Sequence, residues 1–349
     1  MKQYARKVKI IAYTLIALEY LVLAGGLGYF VYTKHHANTL RASVMKIEKE
    51  KIEFRPTAEL KYFYEWRPNQ AVVYERTWLP ETITRRTNSD GLIENNEHDI
   101  EKPSDTFRII VIGDSFAEGP YVNYLDTYPA KLEAIINALT HCSGIIHYEV
   151  INLGHWGYDI EYASHRMLTR GLKYRPDLVL WLVKDDDFTA LNELLEEKTD
   201  QYVNALSEVE KNDITKFSKY DQIDSELRVP NVSLWEKLSN VANKELLSEV
   251  SQEKFFSIQS NAVHRLASEL QAPLVLVTFR STDARYKARM KLWSNTENNV
   301  KFYDGIQNLR EEETFMPFDW HPNEKGYHVI AESVYRYLID SKLLCEANH

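Results

Sequence analysis

Cysteine is almost absent from this chain: 349 residues hold two, Cys142 and Cys345, so neither a disulfide framework nor a cysteine zinc cluster is on offer, and one bridge is the most the thiols can form. Basic stripes are missing as well. The formal charge of -9 comes from acidic residues spread along the chain, without the Lys/Arg clustering that phosphate backbones require, so nucleic acid is not an expected partner. Internal repeats are not visible, which argues against a solenoid or propeller. The remaining composition is that of an ordinary globular protein, long enough for one large domain or two small ones with a real core.

Long hydrophobic runs are also scarce, and the one that stands out is at the amino terminus. Residues 1–9 are basic through Lys2, Arg6, Lys7 and Lys9, and Ile10 to Tyr32 is apolar apart from Thr14 and Glu19. That is long enough to span a bilayer. A cleaved signal peptide would carry a shorter apolar region of about 7 to 15 residues before a small-residue cleavage site. Ala24-Gly25-Gly26 mimics such a site, but Leu27, Tyr29, Phe30 and Val31 continue the run. Residues 1–33 are therefore expected to be a cytoplasmic tip and an uncleaved single-pass anchor. Four basic residues before the span outweigh Lys34 after it, which places the amino terminus in the cytoplasm and the rest outside it. Glu19 inside the span points to a membrane-protein partner, or is a protonated or snorkelling glutamate with no role. Ala24 and Gly28 have the spacing that lets two helices approach as a dimer, and glycine is common in membrane helices in any case.

Beyond the anchor, residues 34–105 read as a stalk and an extension packed on the core. Leu40 to Ile52 is charged and looks helical; Phe54 to Asp105 is irregular, with short β-like pieces at Ala71 to Tyr74 and Thr82 to Thr87. From residue 106 to 345, strand and helix signals alternate, the pattern of a parallel sheet covered on both faces. Strands are expected at Phe107 to Ile112, His147 to Asn152, Leu178 to Val183, Leu274 to Phe279 and Val300 to Tyr303. Helices are expected from Thr127 to Gly144, Asp159 to Gly171, Gln252 to Leu270 and Asn323 to Leu344. An acidic helical insertion at about 188–252 lies over the active edge of the sheet as a lid, or is a solvated helical pair with no role in binding.

Three short segments carry the chemistry. In Ile109-Ile110-Val111-Ile112-Gly113-Asp114-Ser115-Phe116, a serine follows a β-branched run where Gly113 and Asp114 break the strand. It therefore sits at the carboxyl edge of the sheet, where open α/β folds gather ligands. In Asp319-Trp320-His321-Pro322-Asn323, an aspartate two residues before a histidine can set the imidazole's tautomer while its other nitrogen faces Ser115. In Asn152-Leu153-Gly154-His155-Trp156-Gly157, the Gly154 N–H is placed to join that of Ser115 in an oxyanion hole. Each segment also has a plain reading, as an ordinary βα loop, a helix cap and a glycine turn.

Taken together and in this order, the three segments resemble the blocks of the SGNH (GDSL) hydrolase superfamily over roughly residues 105 to 345. The resemblance implies a flavodoxin-like three-layer α/β/α sheet and metal-free, cofactor-free ester hydrolysis or acyl transfer. It assigns Ser115 as nucleophile, His321 as general base then acid, Asp319 as its orienter and Gly154 as an oxyanion donor. The shortened Asp-x-His spacing resembles the membrane-associated O-acetyltransferase-like branch of the superfamily and some extracytoplasmic hydrolase relatives, which suits an anchored enzyme acting on an O-acylated glycan or envelope lipid. One departure stands against it: the third block reads Val183-Lys184-Asp185-Asp186-Asp187-Phe188, with Asp186 where the family has an oxyanion-donating asparagine. An ionised Asp186 would repel the developing charge and a protonated one would donate to it; Lys184 or Asn192 are the alternative donors. A catalytically weak or inactive binding and assembly protein is the competing expectation. In a sheet of order 2-1-3-4-5 the first and last helices share a face, so Cys142 and Cys345 are able to bridge, although two free thiols are the plainer expectation. Trp156 and Trp320 flank the reacting acyl group or a sugar ring, or simply pack at the rim.

Overall fold

The computed structural model describes residues 52–205, 241–246 and 250–345. The expected anchor, the expected stalk up to residue 51 and most of the expected insertion lie outside the described residues. Among the described residues no helix is long and apolar enough to cross a membrane.

Two antiparallel ribbons open the described chain. Strand β1 (Ile52–Phe54) pairs with β2 (Tyr64–Trp66), and β3 (Ala71–Tyr74) with β4 (Ile83–Arg86). Isolated two-stranded ribbons are marginal in water. These are held by aromatic burial: Phe63, Tyr64, Trp66 and Tyr74 join the core cluster on one face of the main sheet. The extension is thus packed on the domain. Ile52 belongs to a strand, so the helical reading of the stalk does not extend to its last residue.

Strands β5 (Thr106–Gly113), β6 (His147–Asn152), β7 (Leu178–Leu182), β8 (Leu274–Phe279) and β9 (Val300–Ile306) form one parallel sheet in the order β6-β5-β7-β8-β9. This is the expected 2-1-3-4-5. Alternation along β5 sorts the two cores: Phe107, Ile109 and Val111 pack with Leu132, Ile136, Ile330 and Val334, while Ile110 and Ile112 pack with Met167, Val263, Leu266 and Trp293. Successive side chains of a strand point to opposite faces, so an unbroken apolar run must be covered twice.

The helices that bear on the sheet and its edge are α1 (Ser115–Glu118), α2 (Tyr128–Leu139), α3 (Ile160–Arg166), α4 (Asn192–Asn204), α5 (Gln252–Glu269), α6 (Ala284–Thr296) and α7 (Glu324–Asp340). Asp159 caps α3 by accepting from Tyr162 N–H, and a π turn over Met167–Gly171 continues it to the expected end. Helix α6 was hidden in a charged stretch, because only Met290 and Trp293 are buried in it. Helix α7 stops at Asp340, and the following Leu343 and Leu344 are buried without being helical. Strand β9 runs three residues past its expected end, through the polar Asp304 and Gly305.

Cys142 and Cys345 form a disulfide across 203 residues of sequence, with Cα atoms 5.4 Å apart. The expectation of free thiols is corrected. Helices α2 and α7 lie side by side in one core, and the two cysteines follow their carboxyl ends.

Candidate active site

The strand carrying the serine ends on a backbone that only glycine tolerates. Gly113 has φ 141°, and a β-carbon there would meet Leu182 O at 2.6 Å on the neighbouring strand. Asp114 then starts α1 by accepting from Phe116 N–H at 2.9 Å. Side-chain capping of this kind satisfies a donor that the helix cannot. Ser115 is the first residue of that helix, so its own N–H has no intrahelical acceptor.

The expected triad assembles. Ser115 Oγ lies 2.8 Å from His321 Nε2, and His321 Nδ1 lies 2.6 Å from Asp319 Oδ1. A carboxylate oxygen accepts, so Nδ1 carries the proton and Nε2 is left to accept from the serine hydroxyl. Asp319 Oδ1 also accepts from His321 N–H at 2.9 Å, which locks the two-residue spacing into one turn. All three side chains are buried. The turn is itself fixed from both ends, by Phe315 N–H donating to His321 O and by Asn323 capping α7 through Lys325 and Gly326 N–H.

The second block departs from its expected role at Gly154. Its N–H donates to Asn152 Oδ1 at 2.9 Å, so as an oxyanion donor it would have to share or leave that bond. What makes position 154 glycine is packing: a β-carbon would run into Glu118 N and Ala117 C of α1. No hydrogen bond from the Gly157 N–H, three positions on and at φ 75°, is found among the described residues. Its neighbour Trp156 has its ring 5.8 Å from the ring of His321. His155 is a buried core residue, stacked between Trp66 (5.2 Å) and Tyr158 (4.5 Å). Burial holds its imidazolium form well below the usual range, and its Nδ1–H donates to Trp156 O at 3.0 Å.

Asp186 is not the isolated carboxylate that the third block suggested. Lys184 donates to both of its oxygens, at 2.8 and 2.9 Å, and to Asp114 Oδ2 at 2.7 Å. The same ammonium lies 4.3 Å from the centres of both the Phe116 and Trp320 rings, within cation–π range of each. Burial works against the charged lysine, but the carboxylates of Asp114, Asp186 and Asp187 outweigh it and raise its pKa. Asp187 is buried, accepts from Lys184 N–H at 2.7 Å, and is pushed well up by burial and then by its acidic neighbours. Asp114, Asp186 and Asp187 are close enough to share one cation, and Lys184 supplies that positive charge to the group. Asn192, the other alternative donor, gives its amide to Gly157 O at 2.8 Å.

Sequence reasoning missed Glu118. This residue ends α1, is fully buried, and its carboxylate accepts from Trp66 Nε1 (3.1 Å), Tyr74 OH (3.1 Å) and Trp156 N–H (2.7 Å). Burial raises its pKa, opposed by Arg85 and by these donors. The extension therefore holds the nucleophile's helix and the second block through one carboxylate. No local pattern announces this, since the donors come from three separate segments.

A buried Ser–His–Asp relay, set on a strand-to-helix turn at the carboxyl edge of a parallel sheet, has the geometry of a serine-nucleophile centre. No family model matches this chain, and no curated protein sequence matches it. Solved structures similar to it include an alpha/beta hydrolase enzyme, LAE5, from the metagenome of Lake Arreo, Spain, at 15% identity and TM-score 0.40, covering 69% of this chain and 97% of that one. A Clostridium thermocellum family 3 carbohydrate esterase is similar at 14% identity and TM-score 0.39, covering 68% and 96%. The acetylxylan esterase Axe2 of Geobacillus stearothermophilus, as a catalytic mutant, is similar at 14% identity and TM-score 0.38, covering 68% and 95%. These overlaps are too loose to transfer an activity, and the reading of the site stands on its own side chains.

Proposed function

We propose that this chain is a serine esterase or acyl-transfer enzyme of SGNH type, anchored through residues 10–32 with its catalytic domain outside the cytoplasm. The substrate class is an O-acylated glycan or envelope lipid. The observation that carries the chemistry is the continuous relay from Asp319 through His321 to Ser115, at 2.6 and 2.8 Å. Ser115 Oγ attacks the ester carbonyl while His321 Nε2 takes its proton, and the Asp319 carboxylate stabilises the imidazolium that forms. The proton then passes to the leaving alkoxide, leaving an acyl-serine. Water or a sugar hydroxyl, activated by the same histidine, completes hydrolysis or transfer. The developing oxyanion is held by the Ser115 N–H together with the Gly157 N–H, or with the Gly154 N–H once it leaves Asn152 Oδ1; Asp186 is paired with Lys184 and the Asn192 amide with Gly157 O. One such donor is worth about 100- to 1,000-fold in rate. The Cys142–Cys345 bridge supports an exported domain, because disulfides persist in oxidising compartments.

The competing reading, a fold kept for binding or assembly with little turnover, draws on the third block, where the ammonium–carboxylate pair of Lys184 and Asp186 replaces a neutral amide donor. An activated-serine probe separates the two. Labelling at Ser115 that is lost in Ser115→Ala supports the enzyme. No labelling at any pH between about 5 and 9, the range over which histidine titrates, supports the binding protein. Protease accessibility of the carboxyl terminus in intact and opened cells tests the topology.

A further inference from the structure

The Ser115 hydroxyl has one hydrogen to give and two acceptors in reach. His321 Nε2 lies at 2.8 Å, and Asp114 Oδ2, on the residue before the serine, lies at 3.5 Å. Only the first contact lets the imidazole take the proton as the serine attacks. Asp114 cannot turn away, because its Oδ1 caps α1 through Phe116 N–H and its side chain is buried. What keeps Oδ2 occupied is Lys184, whose ammonium donates to it at 2.7 Å.

The ammonium's hydrogens go to Asp114 Oδ2 and to both oxygens of Asp186, which leaves none for a developing oxyanion. Its two ring contacts join the halves of the relay: Phe116 follows the nucleophile, and Trp320 stands between Asp319 and His321. A charged lysine is buried only with partners, and Asp114, Asp186 and Asp187 supply them. The effect is mutual. Burial raises the Asp114 carboxyl, the ammonium opposes that rise, and the Asp186 carboxylate adds to it. With the ammonium bound, Asp114 Oδ2 is a weak rival for the serine's hydrogen; without it, a carboxylate oxygen beside Ser115 is free to compete with His321.

We infer that Lys184 is a positioning residue for the nucleophile: by occupying Asp114 Oδ2 it commits the Ser115 hydroxyl to His321. The inference rests on the esterase reading above. The full-length chain in detergent is assayed with p-nitrophenyl acetate and with an activated-serine probe, beside thermal melting. Lys184→Met is expected to lower kcat about 100-fold, the scale of a misplaced reacting group, with KM changed by under about threefold. Adding Asp114→Asn is expected to recover about tenfold or more, the size of one charge-assisted bond. An amide still caps Phe116 through its oxygen, and its nitrogen offers Ser115 only donors. Lys184→Gln keeps a donor for Asp114 without the charge and is expected to lose about tenfold; it carries the same test where the methionine variant does not fold. Facing Asp114 are Ser115 with His321 behind it, Lys184, Asp186 and Asp187 on the third block, and Tyr327 on α7. Without the ammonium Asp114 takes up its proton at higher pH, and a protonated carboxyl no longer draws the serine's hydrogen. Wild type and Lys184→Met are therefore expected to differ most near about pH 9 and least near about pH 5, a ratio in which the shared titration of His321 cancels. A pH-independent ratio, or a double variant no faster than Lys184→Met, overturns the inference and leaves Lys184 as packing or as an oxyanion donor. If the probe labels wild type and Lys184→Met at the same rate, this inference fails while the esterase stands; if it never labels wild type, both fail.

Discussion

Replacing Glu118 by leucine removes the acceptor that Trp66 Nε1, Tyr74 OH and Trp156 N–H share at 3.1, 3.1 and 2.7 Å. The side chain is fully buried, so water does not take the carboxylate's place. Each orphaned buried donor costs about 1 to 3 kcal/mol. Losing a carboxyl whose pKa burial has raised gives part of that back, because the charged form was itself disfavoured there. The balance is about 3 to 5 kcal/mol, or roughly 5 to 15 °C in melting temperature for a domain of this size. Glutamine keeps an acceptor oxygen and is expected to cost under about 1 kcal/mol. The sign with pH follows from the raised pKa: this group favours folding most below the ordinary carboxylate range and less as pH rises through its folded-state value, and Glu118→Gln removes that slope. Thermal unfolding of the full-length chain in detergent measures the loss of stability. Steady-state kinetics measures the effect on the site, with Glu118→Leu expected to lower kcat more than it raises KM, since α1 carries Ser115 at its first position. A leucine variant as stable as wild type, or a glutamine variant as damaged as the leucine one, refutes the reasoning.

Asp186→Asn removes one carboxylate from beside the nucleophile while Lys184 keeps Asp114 as a partner; esterase activity near neutral pH is expected to rise about tenfold or more if an amide donor is restored, and a rate at or below wild type removes that account. Cys142→Ser opens a loop spanning 203 residues of sequence and is expected to lower stability by about 2 to 5 kcal/mol, so equal urea midpoints with and without the bridge count against it. His98 sits between Glu94 and Glu149; burial alone would lower its pKa, but the two carboxylates override it and bring it to about 10. Its stabilising charge is fully present below the unfolded value of 6.5 and lost as pH rises through about 10. A stability difference of a few kcal/mol between wild type and His98→Gln at about pH 6 is expected to shrink toward about pH 10, and a pH-independent difference refutes the assignment.

The sequence by itself determined whatever depends on local pattern. The apolar run of β5 demanded two covering layers; Gly113 and Asp114 marked the turn that carries the serine at the sheet's carboxyl edge; and Asp319 with His321 was legible because two residues of one tight turn form most of the relay. Alternation of elements gave a parallel sheet, while its strand order was what the resemblance to the SGNH blocks implied. Tertiary structure decided everything that depends on which side chain reaches which across the chain. Lys184 gained two carboxylate partners and changed what Asp186 is, Asn152 claimed the Gly154 amide, and two cysteines 203 positions apart met. Glu118 became the joint between extension and nucleophile because three donors from distant segments converge on it. Such pairings are set by packing of whole elements, and no spacing within the chain encodes them.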